Sequence, residues 1–134
     1  MYKFIAIVCV VVALLALGAL NERRLMRHYS QRACTGCLWR RRFPDASKTE
    51  IRNFLRVFLN AFGFAYRRRL CFAHDDRVMD IYRSLYTVHG STDSMELEHM
   101  VIDLQEKYRV EILGSWREDI TLGELFAQTR LPVA

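Results

Sequence analysis

The sequence predicts an all-α protein in which an N-terminal transmembrane helix precedes a compact helical domain. Three observations support this fold class. Residues 4–20 form an uninterrupted apolar run, Ser/Thr-x-x-Glu patterns mark two helix starts, and apolar residues recur at helical spacing after each start. With 134 residues, the chain has room for one ordinary domain.

The apolar run contains seventeen residues without a charge. As a helix it would measure about 25 Å, close to the roughly 30 Å of a hydrocarbon core. Basic residues follow at once and favour the cytoplasmic side: Arg23, Arg24, Arg27 and Arg32. We therefore expect an uncleaved anchor over residues 1–22, spanning the inner (cytoplasmic) membrane once, with a cytoplasmic C-terminal domain. A cleaved signal peptide, or a buried or interfacial helix, stays open as an alternative.

Charge is unevenly distributed along the rest of the chain. Residues 21–83 hold fifteen Lys/Arg and six Asp/Glu, whereas residues 93–124 hold three and nine. A basic segment beside a membrane anchor binds anionic lipid headgroups, and each Lys or Arg near the surface contributes about 1 kcal/mol to this binding. We therefore predict that residues 4–20 and the basic residues after them interact with a membrane. We interpret residues 23–46 as a basic juxtamembrane linker. No motif that reads bases is present, and we expect no nucleic-acid partner.

Cysteine and histidine residues provide no complete metal motif. Cys34 and Cys37 form one C-x-x-C pair, but a zinc site needs a second pair or histidines at metal spacing. A redox pair, a labile half-site shared by a dimer, and no special role all stay open. The adjacent residues of His74-Asp75-Asp76 point in different directions, which favours a solvated loop or helix cap over a catalytic or metal cluster.

The first helix of the domain has a clear start and end. Ser47 and Glu50 fit a capping box, and Gly63 is placed to end the helix. Apolar residues recur on one face between them: Ile51, Phe54, Leu55, Phe58, Leu59 and Phe62. Residues 64–90 are harder to interpret, because 78–85 could form a short helix while SLYTVHG alternates like a brief strand.

A second helix of about four turns is predicted from residue 95, because Asp93 and Glu96 place a carboxylate in its first turn. Its buried side would be supplied by Met95, Val101, Ile102, Leu104 and Tyr108. A connection follows over residues 112–116. The last helix is predicted after Thr121, which can form a capping box with Glu124.

Asp93-Ser94-Met95 resembles the Asp-Ser-Leu signature of acyl carrier proteins and the related peptidyl carrier domains. Downstream apolar and aromatic positions also match the family: Leu104, Tyr108, 110–112 and 120–122. The resemblance covers residues 47–128 and implies an acyl-carrier-like four-helix bundle over residues 47–134. The family usually has an apolar residue four positions after the serine, where this chain has Glu98.

The resemblance implies that Ser94, flanked by Asp93 and Met95, carries a 4′-phosphopantetheine arm. A phosphodiester there would be favoured by the free N–H groups and the dipole of a helix N-terminus. The arm would hold an acyl group as a thioester, so the chain would need no catalytic residue of its own. The implied partners are a phosphopantetheinyl transferase and acyl-processing enzymes of lipid (fatty acid) or secondary-metabolite synthesis.

The second helix also carries an acidic face formed by Glu96, Glu98, Asp103 and Glu106. Such a face can steer basic partner enzymes, and the resemblance implies recognition on this helix. An alternative function is an unmodified carrier-like interaction or regulatory module, which would dock a basic partner through the same acidic helix.

Overall fold

A computed structural model describes residues 1–86 and 95–132, with their side chains except at positions 18, 19, 21–26, 30, 85 and 86. The α-helices are α1 (Tyr2–Ser30), α2 (Gly36–Arg42), α3 (Lys48–Ala61), α4 (Val78–Tyr86), α5 (Met95–Tyr108) and α6 (Leu122–Thr129). The 3₁₀ helices Tyr66–Cys71 and Leu113–Ser115 lie in connections. The described residues form no strand, only one isolated bridge, so the all-α class is confirmed for them.

The prediction of a transmembrane helix is wrong. Among residues 1–86 and 95–132, no helix combines the length and the apolar composition needed to cross a membrane. As a helix, the apolar run of residues 4–20 would measure about 25 Å, which falls short of a hydrocarbon core of about 30 Å. This run is the first part of the 29-residue helix α1. The single-pass inner-membrane localisation that we predicted from it is therefore wrong as well.

The C-terminal end of α1 packs onto the rest of the domain. The Tyr29 ring is buried, with its centroid 5.3 Å from that of Phe72. Just after the helix, the Arg32 guanidinium donates to both carboxylate oxygens of Asp76 at 2.8 and 2.7 Å. Burial, and next the negative charge of Asp76, raise the pKa of the Tyr29 phenol. Residues that we interpreted as a linker thus belong to the domain.

Helix α2 is anchored through two polar side chains. Thr35 is buried, and its hydroxyl oxygen lies 2.9 and 2.7 Å from the carbonyl oxygens of Leu70 and Phe72, which share its one proton. The Trp39 indole is fully buried and donates from Nε1 to the Phe72 carbonyl at 2.9 Å. Because buried polar groups are destabilising unless they are hydrogen-bonded, these contacts fix α2 against residues 70–72.

Helix α3 forms as predicted. The Glu50 backbone N–H donates to the Ser47 hydroxyl at 3.1 Å, and the Ser47 N–H donates to the Glu50 carboxylate, which completes the capping box. All six apolar residues of the predicted stripe are buried. The chain leaves the helix at Gly63, whose φ of 70° lies in the left-handed region that glycine adopts readily.

Aromatic rings fill the core. One group joins α2, α3 and α6, with centroid separations between 4.9 and 6.1 Å; it contains Trp39, Phe43, Phe54 and Phe126. A second group, with separations between 5.0 and 6.1 Å, contains Phe58, Phe62, Phe64 and Phe72. Such pairs each stabilise by about 0.5–1.5 kcal/mol beyond the area that they bury.

Residues 78–86 form helix α4, so the helical alternative for this region is confirmed there. Val78, Ile81 and Tyr82 point into the core and are buried. The end of the strand alternative, residues 87–90, lies outside the described residues.

The segment 73–78 crosses the start of α6. Gly123 donates its N–H to the His74 carbonyl at 2.7 Å, and Leu122 donates to the Asp76 carbonyl at 3.0 Å. Val78 donates to the carbonyl of Ile120 at 3.1 Å. These backbone bonds hold α6 against the start of α4.

Asp76 is not the solvated loop residue that we predicted, because its side chain is only 9% exposed. Besides Arg32, its carboxylate accepts a hydrogen bond from the Ala73 N–H at 2.7 Å. The neighbouring His74 is half-buried, with its ring edge-on to Trp39 at 6.1 Å between centroids. Asp76 therefore closes a buried turn and binds the residue that follows α1.

Helix α6 begins with the predicted capping box. The Glu124 N–H donates to the Thr121 hydroxyl at 3.2 Å, and the Thr121 N–H donates to the Glu124 carboxylate at 2.9 Å. Arg117 donates to the other carboxylate oxygen at 2.7 Å. These bonds, first from Thr121 and then from Arg117, lower the pKa of Glu124.

Gly123→Ala should destabilise the protein by about 1–3 kcal/mol, although alanine is the better helix former. A Cβ at this position would stand 2.8 Å from the His74 carbonyl oxygen and 3.0 Å from its Cβ. Urea unfolding followed by circular dichroism measures the change. Gly114→Ala is the control, because the nearest atom to its Cβ would be 3.7 Å away. Equal stability of the two variants would contradict the close approach at residue 123.

Glu124→Gln should lower the free energy of unfolding at neutral pH, and this loss should shrink as the pH falls below 4.5, the ordinary carboxyl value. Because folding lowers the pKa of Glu124, its carboxylate stabilises the folded state at pH values above 4.5. This stabilisation is lost as the pH falls and the carboxylate is protonated. Thermal unfolding at several pH values measures the difference. Glu118→Gln, which removes the same charge from a side chain that is 82% exposed, is the control. A loss that stays constant down to acid pH would show that Glu124 acts without its charge.

Candidate functional site at the start of helix α5

Helix α5 begins at Met95, the residue that directly follows Ser94 in the sequence. The predicted attachment residue Ser94 and its neighbour Asp93 lie outside the described residues. The side chain of Met95 is 51% exposed, which places the first turn of α5 at the surface.

One side of α5 packs on the core and on α3. Met100, Val101 and Leu104 are buried there, with Leu97 and Tyr108 half-buried beside them. The predicted buried side is therefore only partly right. Met95 and Ile102, which we assigned to the core, are 51% and 47% exposed.

The opposite side of α5 is exposed and mixes acidic with apolar side chains. We call it the outer face, and it consists of Met95, Glu98, His99, Ile102, Asp103 and Glu106. Positions 95, 98, 102 and 106 are spaced three or four residues apart, so they line one side of the helix. Ile102 thus lies among carboxylates, as an apolar contact within a charged surface.

The four acidic residues predicted to bind partners are not equivalent. Glu98, Asp103 and Glu106 are exposed, whereas Glu96 is half-buried. The predicted likeness to carrier proteins would align Glu98 with a position that is usually apolar in that family. Its exposure in this structure explains why a charged residue is tolerated there, because an exposed carboxylate stays hydrated.

A surface cleft of about 390 Å³ lies beside the outer face, between α3 and α5. Asp103, Glu106 and Lys107 line it from α5, and Val57 and Asn60 line it from α3. Two carboxylates on one wall make this cleft a suitable seat for a basic side chain of a partner.

The end of α5 is fixed to the domain through Gln105. Its side-chain oxygen accepts hydrogen bonds from the N–H groups of Ile112 and Leu113 at 3.0 and 3.4 Å. Arg109 adopts a φ of 54°, which turns the chain away from the helix. Ile112 is fully buried after this turn, so the orientation of the outer face is set by the core.

Three consecutive arginines, residues 67–69, lie in the 3₁₀ helix Tyr66–Cys71. The guanidinium groups of Arg56 and Arg69 both stack on the Tyr66 ring. Their central carbon atoms lie 4.6 and 4.5 Å from its centroid. A hydrogen bond from Arg56, followed by smaller contributions that include the charge of Arg69, lowers the pKa of the Tyr66 phenol. These arginines thus contribute to local packing through cation–π contacts.

In the part of the chain that the structure describes, no three His, Cys, Asp or Glu side chains gather in a way that could hold a metal ion. Cys34 and Cys37 are free thiols and exposed, and Asp76 is bound by Arg32.

Comparison of the chain with protein-family models, curated proteins and solved structures gives no match. The likeness to carrier proteins therefore rests on the residues around Ser94, and it stays a prediction.

Two features of the site are missed by the sequence patterns. The outer-face position of Ile102 could have been found by extending the helical stripe through Leu97, Met100 and Leu104, which leaves Ile102 on the other side. The hydrogen bond between the Ile112 N–H and the Gln105 side chain could not be predicted from a local sequence pattern, because the two residues lie on either side of a turn.

Ile102→Ala should change stability by less than about 0.5 kcal/mol, whereas Leu104→Ala should destabilise by about 2–5 kcal/mol. The two residues lie on one helix, but Ile102 is 47% exposed and Leu104 is fully buried. Chemical denaturation of both variants measures the difference. A large loss for Ile102→Ala would mean that another part of the protein covers the outer face.

Proposed function

We propose that this chain is an acyl-carrier-like protein that takes a 4′-phosphopantetheine arm on Ser94 and presents a thioester-bound acyl group to partner enzymes. The observation that carries the proposal is the start of α5. The helix begins at the residue after Ser94, Met95 and Glu98 of its first turn are exposed, and an outer face of acidic and apolar side chains runs from there along the helix.

The start of α5 suits a covalently attached phosphate ester. The first N–H groups of an α-helix lack partners within the helix, and the dipole favours negative charge beside them. The neighbouring Met95 is 51% exposed, which is consistent with an attachment point at the surface. When bound, the arm supplies a flexible thiol that carries acyl groups. The chain itself orients the arm and needs no catalytic group for this role.

The outer face suits recognition by enzymes with basic surfaces. Glu98, Asp103 and Glu106 provide negative charge that speeds association with a positive patch. Ile102 provides an apolar contact at the centre of this charge. We propose a phosphopantetheinyl transferase and acyl-processing enzymes of lipid or secondary-metabolite synthesis as the partners that use this face.

A second function uses the same face without modification. An interaction or regulatory module would dock a basic partner on the outer face and leave Ser94 as a free hydroxyl. The exposed Ile102 favours this possibility as much as the first, because an apolar residue among charges serves any protein partner.

The full-length chain, co-expressed with a broad-range phosphopantetheinyl transferase and supplied with coenzyme A, should gain the mass of one phosphopantetheine arm. Ser94→Ala should abolish the gain, because the variant lacks the hydroxyl oxygen that accepts the phosphate. Intact-protein mass spectrometry measures both. Ser91→Ala is the matched control and should still be modified.

Three outcomes separate the functions. A gain that disappears only in Ser94→Ala supports the carrier. A gain that persists in Ser94→Ala would overturn the assignment of the site. No gain, with native circular dichroism and Trp emission, would overturn the carrier and favour the unmodified module.

A further inference from the structure

Cys34 and Cys37 lie on either side of the Thr35-Gly36 dipeptide at the beginning of α2. Both side chains are exposed and both thiols are free. The proposed carrier function uses neither of them. The loop between them is nevertheless anchored to the core.

The anchor is Thr35, which is 2% exposed. Its N–H donates to the Leu70 carbonyl at 2.9 Å, and its hydroxyl bonds to the carbonyls of Leu70 and Phe72. Four residues later, in α2, Trp39 donates to the same Phe72 carbonyl. The backbone between the two cysteines is thus held on a buried support, and it cannot relax as a free peptide does.

This backbone has the conformation that a short disulfide loop needs. Thr35 has φ −83° and ψ 0°, and Gly36 is the first residue of α2, so both residues between the cysteines are in the right-handed helical region. Two such residues bring the Cα atoms on either side of them to less than about 7 Å, as in a type I turn. That separation overlaps the roughly 4.4–6.8 Å found in disulfides.

The sulfur atoms also lie on the same turn. Cys34 Sγ stands 3.5 Å from the point where a Cβ on Gly36 would be, and Cys37 Sγ lies 3.8 Å from the Cys34 carbonyl oxygen. Because residue 36 is a glycine, it places no side chain beside the Cys34 sulfur.

Small reagents have access to the pair. Both cysteines line an open cleft of about 450 Å³, and its other walls include Arg32, Asp75 and Asp76. Either thiol can therefore meet a small disulfide from solvent.

Cys71 is the competing partner, and its packing disfavours it. It lies between the two residues that bind Thr35, but its side chain is half-buried and packs against the hydrophobic core. A bond from Cys71 to Cys34 or Cys37 would require it to leave the core.

We propose that Cys34 and Cys37 form a dithiol–disulfide site that is reversibly oxidised by low-molecular-weight disulfides of the glutathione class. The thiolate of one cysteine attacks a sulfur of the small disulfide, breaks its S–S bond and releases one thiol molecule. The thiolate of the second cysteine then attacks the protein sulfur of the mixed disulfide and releases the second thiol molecule. The two cysteine protons pass to the two leaving thiolates. The protein dithiol is oxidised and the small disulfide is reduced.

Trypsin separates the relevant thiols, because cleavage after Arg32 and Arg40 gives a peptide 33–40 that contains only Cys34 and Cys37, while Cys71 falls in peptide 70–77. The native full-length chain is incubated with oxidised and reduced glutathione, alkylated in denaturant, digested and analysed by mass spectrometry. We expect peptide 33–40 to lose two hydrogens and to resist alkylation in oxidising buffer, and to be alkylated twice after dithiothreitol. Cys71→Ser, the control variant, should behave like the wild type.

A synthetic peptide of residues 33–40 tests whether the fold holds Cys34 and Cys37 in a conformation that favours the disulfide. We expect the equilibrium constant for oxidation by glutathione to be about tenfold higher in the folded chain, because its loop is already ordered. Equal constants would overturn a preformed site. Double alkylation in oxidising buffer, separate glutathione adducts on each cysteine, or a cross-link between peptides 33–40 and 70–77 would overturn the proposal itself.

Discussion

The carboxylate of Asp76 joins parts of the chain that are far apart in sequence. Arg32, which follows α1, donates two hydrogen bonds to it, and the Ala73 N–H donates a third. The carbonyl of Asp76 accepts from Leu122 at the start of α6. The Asp76 side chain is only 9% exposed, so removing Arg32 would leave this carboxylate without its charged partner and would destabilise the fold. The positions of α1, α4 and α6 all depend on this residue.

The candidate site at the start of α5 depends indirectly on the packing of α2, α3 and α6. Helix α5 packs on α3, and α3 shares an aromatic cluster with α2 and α6. The buried side of α5 fixes which residues are left outside. The core therefore determines which side of α5 faces solvent. Residues 100, 101 and 104 are buried on one side of the helix, which leaves residues 98, 102 and 106 exposed on the other.

Sequence patterns correctly predict the helices α3 and α6, whose first turns are stabilised by residues close together in the sequence. The capping boxes of Ser47 with Glu50 and of Thr121 with Glu124 are formed as the sequence indicates, because both partners lie within four residues. Trp39 and Asp76 were not predicted, since their partners are separated from them by more than thirty positions. Composition alone also misled us over residues 4–20, where a continuous apolar run was too short for the structure that it suggested.

Burial of Trp39 changes where the folding unit begins. A fragment starting at Ser47, as carrier-like boundaries suggest, would omit Tyr29, Arg32, Trp39 and Phe43. The rings of Phe54 and Phe126 would then face water on the side that α2 now covers, and Asp76 would lack its guanidinium partner. Tyr29, Trp39 and Phe43 are thus part of the core, and a fragment that begins at Ser47 lacks them.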